Sequence, residues 1–483
     1  MRTTSRSIAL ALPAVAAAPL AVIPSSVTAG VALTGTALYL GGTKHPLTIP
    51  GDTTEYIQGY TDWANYTFVT PSQLCTGCAP VAVYGPEQFW PGTGLRDMTY
   101  DASVAVGLDN LNDCLRGATC TVTDPPYTSS GPRVLTDSSY TVFSYSQSGA
   151  IASMQKSDLI AHPPSGTVSF VFVSNPSRPN GGILERFVGA HIPILDVTFT
   201  GATVTNSPQP TPLTTVDAAH QYDPVADFPT NPLNLLADIN ALFGFAYEHP
   251  EGRAGAPVLQ GQYQDSTYYL IPTSTLPLLL PLTVVPFLGP LLATTLDPPL
   301  RVLVETGYDR TINPGAPTPA KFLYFPDPIT TTGNFLAAIP NGWDNGIAYL
   351  TGDPGNRPFH TTPAGPYGVG GPPVNAGAID PYGPPTPLPE PIIPATAVTA
   401  AAIPRLPAPA VSNDVKDVDV VRVSQTETET SPAEPDVRAP VAAVHALRPS
   451  SAPKRSPRAS AARSASVPGP ASATRAATPS RAR

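Results

Sequence analysis

The chain reads as an α/β protein built on a mostly parallel sheet with helices on both faces. Three observations carry this. Apolar runs of strand length alternate with helix-length amphipathic runs over residues 30–350. Two of the strand-like runs end in small residues that can turn sharply. The residues beyond 350 lose all apolar periodicity, so the folded part should end there.

The strand-like runs fall at residues 31–40, 140–145, 167–173, 192–199 and 300–305, and the helix-like runs at 103–115, 147–162 and 231–245. The first run contains Ala37-Leu38-Tyr39-Leu40 and closes on the pair Gly41-Gly42 before Thr43. The second continues as Val142-Phe143-Ser144-Tyr145-Ser146-Gln147-Ser148-Gly149-Ala150, a strand that turns through a serine into a helix. That layout is a nucleophile elbow, with Ser144 and Ser148 at the places where a G-x-S-x-G pattern has glycine. A serine hydroxyl is a poor nucleophile. Held on such a turn, it can meet a base on one side and backbone N–H donors on the other. A serine-rich strand end without chemistry would show the same run.

The neighbours of this motif favour chemistry. An α/β-hydrolase draws its second oxyanion donor from a strand-to-helix loop, which is where Gly42 and Thr43 lie; the first donor would be the N–H of Gln147. Tyr222-Asp223-Pro224 offers an acid and Glu248-His249-Pro250 a base. The order Ser146, Asp223, His249 is the chain order of that fold. Other candidates stay open: His220 beside the same acid, Asp227 as the acid, or Asp309 with His360. Asp227 also reads as an ordinary turn or N-cap acid.

Longer blocks carry a resemblance. Residues 141–150, Asn175-Pro176-Ser177-Arg178-Pro179-Asn180-Gly181-Gly182, 222–229, 231–242 and Leu303-Val304-Glu305-Thr306-Gly307-Tyr308-Asp309-Arg310 resemble the PE-PPE domain, a serine hydrolase module of mycobacteria and related actinobacteria. The resemblance extends over about 30–350. It implies a cutinase-like α/β-hydrolase fold and esterase or acyl-transfer chemistry on lipid-type esters. It also implies that the segment around His249 is the histidine block and that Asp223-Pro224-Val225 is the acid loop.

Composition bounds the remainder. Charged residues are 13% of the chain, 63 of its 483 residues are proline, and the formal charge is −9. An acidic chain without a basic face is not expected to take nucleic acid. No zinc or phosphate-loop motif is visible and no cofactor is expected. Residues 1–29 carry a basic start, an alanine-rich apolar stretch broken by prolines, and Val27-Thr28-Ala29 before Gly30, the pattern of a signal peptide for an exported or envelope protein. Cys75 with Cys78 and Cys114 with Cys120 form two close pairs, which in an exported chain suggests disulfides, with three connectivities open. A redox or half-zinc C-x-x-C is the alternative for Cys75 and Cys78, without the surrounding pattern either needs.

After the domain, residues 351–410 read as a Gly/Pro-rich linker and 411–483 as a disordered tail, acidic first and then basic. Lys454, Arg455, Arg458, Arg463, Arg475, Arg481 and Arg483 offer contact with an anionic envelope surface, or simply a solvated tail. The apolar run from Ile271 to Leu292 is interrupted by Pro277, Pro281, Pro286 and Pro290, so it suits a lid or acyl-pocket wall, or core packing, rather than a membrane span. The function expected is an exported serine esterase or acyltransferase acting on a lipid or acyl-ester substrate. The alternative is a catalytically silent hydrolase fold that binds lipid or the envelope.

Overall fold

The computed structural model describes residues 35–208, 212–252 and 255–378. The expected leader, residues 379–410 of the linker and the acidic and basic tail all lie outside the described residues.

The chain opens with strand β1 (Thr36–Tyr39), helix α1 (Thr54–Ala64) continuing as one π turn (Asn65–Val69), β2 (Ala79–Val83) and α2 (Tyr100–Leu115). Then come β3 (Thr119–Thr123), β4 (Ser130–Val134), β5 (Ser139–Tyr145), α3 (Gln147–Ala161), β6 (Thr167–Val173), the short α4 (Ile183–Arg186) and a hairpin of β7 (His191–Ile192) and β8 (Val197–Thr198). The rest is β9 (Thr215–His220), α5 (Leu235–Tyr247), β10 (Val258–Tyr263), β11 (Ser266–Ile271), a 3₁₀ helix (Pro277–Val284), α6 (Leu288–Glu305) and α7 (Pro328–Thr351).

Nine strands form one sheet in the order β10-β11-β9-β6-β5-β1-β2-β3-β4. The six from β11 to β2 are mutually parallel; β10 at one edge and β3 at the other run against them, and β4 pairs antiparallel with β3. Alternation along the central strands splits the core in two. Leu38, Leu40, Val142, Phe170 and Phe172 pack on one face with Leu111 of α2 and Ile151 of α3. Ala37, Tyr39, Phe143, Val171 and Val173 pack on the other with Ile57, Tyr60 and Trp63 of α1. A strand buried on both faces must be apolar at every position, which is why β5 and β6 read as continuous runs.

Three expectations are corrected. The run 300–305, expected as a strand, is the end of α6. Its Leu/Val pattern fits either state, but Arg301 closes an i,i+4 pair on Asp297, donating to its two oxygens at 2.8 and 2.9 Å, a contact that helical spacing favours and an extended strand cannot make. The run 192–199 is a small separate hairpin rather than a sheet strand. The packed chain also continues past 350: α7 ends at Thr351 on Gly352 in the left-handed conformation, and the following residues fold back. Backbone N–H groups of Phe359 and Thr361 donate to the buried Asp344 carboxylate at 2.8 and 2.9 Å, and Tyr367 is 2% exposed. Anchors of this kind, a carboxylate and an aromatic ring, need no apolar period and so leave no periodic trace.

Cys75 bonds Cys78 and Cys114 bonds Cys120, so both close pairs are local disulfides. Among the described residues no helix is long and apolar enough to cross a membrane.

Candidate active site

β5 ends at Tyr145 and α3 starts at Gln147, leaving Ser146 alone on the turn with φ 57° and ψ −120°. A non-glycine residue there is strained and persists only where its surroundings hold it. They do so closely. Ser146 N–H donates to the Val173 carbonyl at 3.2 Å, and the Ser146 carbonyl accepts from Gly149 N–H at 2.9 Å. Ser148 Oγ bonds both the N–H and the carbonyl of Tyr145 at 3.0 Å.

Ser146 Oγ lies 2.8 Å from His249 Nε2, and His249 Nδ1 lies 2.9 and 3.0 Å from the two oxygens of Asp223. The structure thus brings these three predicted residues into one hydrogen-bonded line. Asp223 follows β9 on a turn where Tyr222 has φ 67°. His249 sits just past the end of α5, its N–H donating to the Gly244 carbonyl at 3.1 Å. Gly244 is needed because any Cβ there would collide with the Tyr222 carbonyl. The imidazole is held between Phe245, with centroids 5.1 Å apart, and Tyr145, 5.4 Å apart, both stacked. Tyr145 Oη donates to the His249 carbonyl.

Asp223 is fully buried. Burial alone would raise its carboxyl, but the charge and hydrogen bond of His249 and the Val225 N–H hold it below the usual carboxylate range.

Of the residues expected at the oxyanion, Thr43 and Gln147 are in direct contact. As the first residue of α3, Gln147 has a backbone N–H without an intrahelical partner. Its side chain ties the elbow to the loop after β1: Oε1 accepts from Thr43 Oγ1 at 3.0 Å, while Nε2 donates to the Gln88 carbonyl at 2.9 Å. Lys44 N–H is fixed by the Glu87 carbonyl at 2.7 Å. Gly42 packs where a Cβ would press on the Tyr145 ring at 2.8 Å and on Glu251 Oε1 at 3.3 Å.

The other candidates lie elsewhere. Asp227 accepts from Tyr222 N–H at 2.8 Å and pairs with Arg310 at 2.6 Å, and Arg310 also pairs with Glu305, so Asp227 braces the acid loop from below. His220 is buried at the end of β9. Asp309 pairs with Lys321 at 3.3 Å, and His360 is exposed in the loop after α7; no hydrogen bond joins the two among the described residues.

Sequence reasoning missed a polar cluster beside the loop after β1. His45 Nδ1 lies 2.8 Å from Asp52 and its ring stacks on Tyr56 at 4.1 Å, while Tyr56 Oη donates to Glu251 Oε2 at 2.5 Å. Burial raises the Glu251 carboxyl. These residues come from distant parts of the chain and form no motif. Metal-type donors gather at Asp101, His191 and Asp196, within 4.8 Å of one another. Asp101 is engaged by Thr198 N–H and Oγ1 at 3.0 and 2.6 Å, which fastens the β7–β8 hairpin to α2.

A parallel sheet whose central strand turns through a strained serine into a helix defines an α/β-hydrolase-like domain. Residues 76–309 match the model of the PE-PPE domain. Among similar proteins of Mycobacterium tuberculosis are an uncharacterized PPE family protein, PPE42 (39% identical over 60% of this chain and 47% of the relative), and the esterase PE16 (38% identical over 63% and 54%). The SL1278 acyltransferase Chp1 is 29% identical over 49% of this chain and 54% of the relative. The chain therefore spans about half the length of the curated relatives it matches.

Proposed function

We propose that the protein is a serine esterase or acyltransferase that acts on lipid-type acyl esters. Ser146 attacks the acyl carbonyl and His249 Nε2 takes its proton. Asp223 keeps the other ring nitrogen protonated and stabilises the imidazolium that forms. The N–H of Gln147 and those of the Gly42–Thr43 segment receive the oxyanion. The leaving alcohol takes the proton back from His249, and water or a second alcohol then releases the acyl group from Ser146. The observation that carries this reading is the 2.8 Å contact between Ser146 Oγ and His249 Nε2, made by a serine held at φ 57°.

The names of similar proteins support both outcomes, since PE16 is called an esterase and Chp1 an acyltransferase. We further read the protein as exported, which the leader-like residues 1–29 and the two disulfides favour. Fluorophosphonate labelling tests the enzyme reading. The folded wild type should label and Ser146→Ala should not; an unlabelled wild type beside an active control would leave a silent, lipid-binding fold as the better account.

A further inference from the structure

Helix α5, the 3₁₀ helix, α6 and α7 pack as one layer, α7 through its contact with α6. Their ionisable side chains, tyrosines aside, are Asp238, Asp297, Arg301, Glu305 and Asp344. Asp297 and Arg301 pair with each other, Glu305 pairs with Arg310, and Asp344 is fully buried under backbone N–H donors. Only Asp238 is left without such a partner. It is partly buried, and burial pushes its carboxyl up to about 6. Between the helix ends, where the exposed Asp327 caps α7, the outside of the layer is therefore almost without charge.

What it does show to solvent is large and apolar. Phe287 is 90% exposed, Val284 78% and Leu242 69%, and Ile329 and Trp343 are likewise exposed. Phe287 also sits at φ 63°, at the tip between the 3₁₀ helix and α6. Isolated apolar residues on a surface need no explanation, but a run of them across neighbouring elements marks a docking face. The face reaches the chemistry directly, because the half-exposed Phe245 of α5 is the ring stacked on His249.

We propose that this layer seats the protein on an uncharged lipid surface, with Val284 and Phe287 entering the acyl region and the mouth beside Phe245 facing the lipid. The proposal deepens the esterase reading and rests on it for the substrate. An anionic membrane would call for lysines and arginines flanking the apolar residues. The only basic side chain of these four helices is Arg301, which is buried and paired with Asp297, so the occupant they fit is lipid whose headgroups carry no net charge.

Full-length protein floated with phosphatidylcholine vesicles that contain no anionic lipid tests this. The wild type should float equally well at about 0.1 M and about 1 M salt. Its tryptophan emission should shift to the blue and be quenched by brominated acyl chains, an effect lost in Trp343→Phe. Val284→Ser with Phe287→Ser should weaken partitioning by about tenfold or more while leaving folding and hydrolysis of a soluble short-chain ester unchanged. Absence of flotation, or equal flotation of the double variant, overturns the proposal. So does flotation that requires anionic lipid and disappears in salt, which would point to the basic tail. A double variant that instead turns an oligomer into a monomer would assign the face to protein contact. A wild type that floats but hydrolyses no ester would overturn the enzyme reading and leave the surface in place.

Discussion

Tyr367 lies in a stretch of chain with no apolar period, yet the structure makes it a structural anchor, and its removal should be expensive. It is 2% exposed, its ring stands 4.6 Å from the guanidinium of Arg310, and its hydroxyl accepts from Gln260 Nε2 at 3.2 Å. Replacing a buried aromatic by alanine costs about 3–5 kcal/mol, from lost transfer energy and the cavity left behind. Loss of the ring from Arg310 and of the hydroxyl from Gln260 lies on top, partly recovered by water entering so near the surface, so about 4 kcal/mol is expected for Tyr367→Ala. Tyr367→Phe removes only the hydrogen bond and should cost about 1 kcal/mol. Urea unfolding reads both. With a slope near 3 kcal/mol per molar urea, the alanine variant should unfold at roughly 1.3 M lower denaturant. A chain ended at residue 355 lacks this anchor and the caps on Asp344, so it should be less stable than one ended at 378. A Tyr367→Ala shift below about 1 kcal/mol, with equal stability of the two truncated chains, would refute the packing of residues 356–378 on the domain.

Four further outcomes follow from the same structure. Ser146→Ala or His249→Ala should lower hydrolysis of a soluble p-nitrophenyl ester by several orders of magnitude with little change in melting temperature, and Asp223→Asn should also cause a severe loss; wild-type turnover in His249→Ala would remove it as the base. Glu87 is fully buried with neither carboxylate oxygen hydrogen-bonded, and burial raises its carboxyl well above the usual range. The folded protein therefore keeps a proton that the unfolded chain gives up above about pH 4.3. Stability should fall as pH rises from there towards the folded value, and Glu87→Gln should flatten that slope in melts between about pH 5 and 9; an unchanged slope would count against it. Asp223 has the opposite sign: with its folded value depressed, its stabilisation holds above about pH 4 and is lost on further acidification. Reduction of either disulfide should cost about 2 kcal/mol, because the loops they close are short. Peptide mapping of protein folded under oxidising conditions should find both bridges, and two free thiols would contradict the pairing.

The parts of the fold that were legible are those whose physics is local. β6 was expected at 167–173 and lies there, and β5, α2 and α3 match to within a few residues, because a strand buried on both faces and a helix with one apolar face leave their period in the sequence. Residues 300–305 were misread since Leu and Val at alternate positions satisfy both periods, and only the Asp297–Arg301 pair, one turn apart, marks the helix. β9 escaped because Thr215, Asp217 and His220 are polar residues that find partners only in the tertiary structure: Asp217 takes the buried Arg178 from a distant loop. At the site, the serine and its flanking strand and helix were visible, as were the acid and the histidine in chain order. The roles of Gln147's side chain, Glu251 and Tyr56 were not, since each depends on which loops the sheet order brings side by side.

The elbow shows how a degenerate motif can keep its geometry. Glycines flank such a serine because the helix after the turn crosses close to a neighbouring strand and leaves no room for Cβ atoms. Here Ser144 is accommodated fully buried on β5, and Ser148 uses its hydroxyl to close the strand end, bonding both polar groups of Tyr145. The close approach has moved one residue along, to Gly149, where a Cβ would come within 2.7 Å of Pro176 and 3.2 Å of the Asn175 backbone. Pro176 belongs to the Asn175-Pro176-Ser177-Arg178 block that carries the family resemblance, and Arg178 from that block is buried against Asp217 on β9, the strand that leads to Asp223. Helix, block and acid strand thus fix one another in sequence around the serine. Loss of the flanking glycines is tolerable because the constraint they would meet is carried by Gly149 and by the hydroxyl of Ser148.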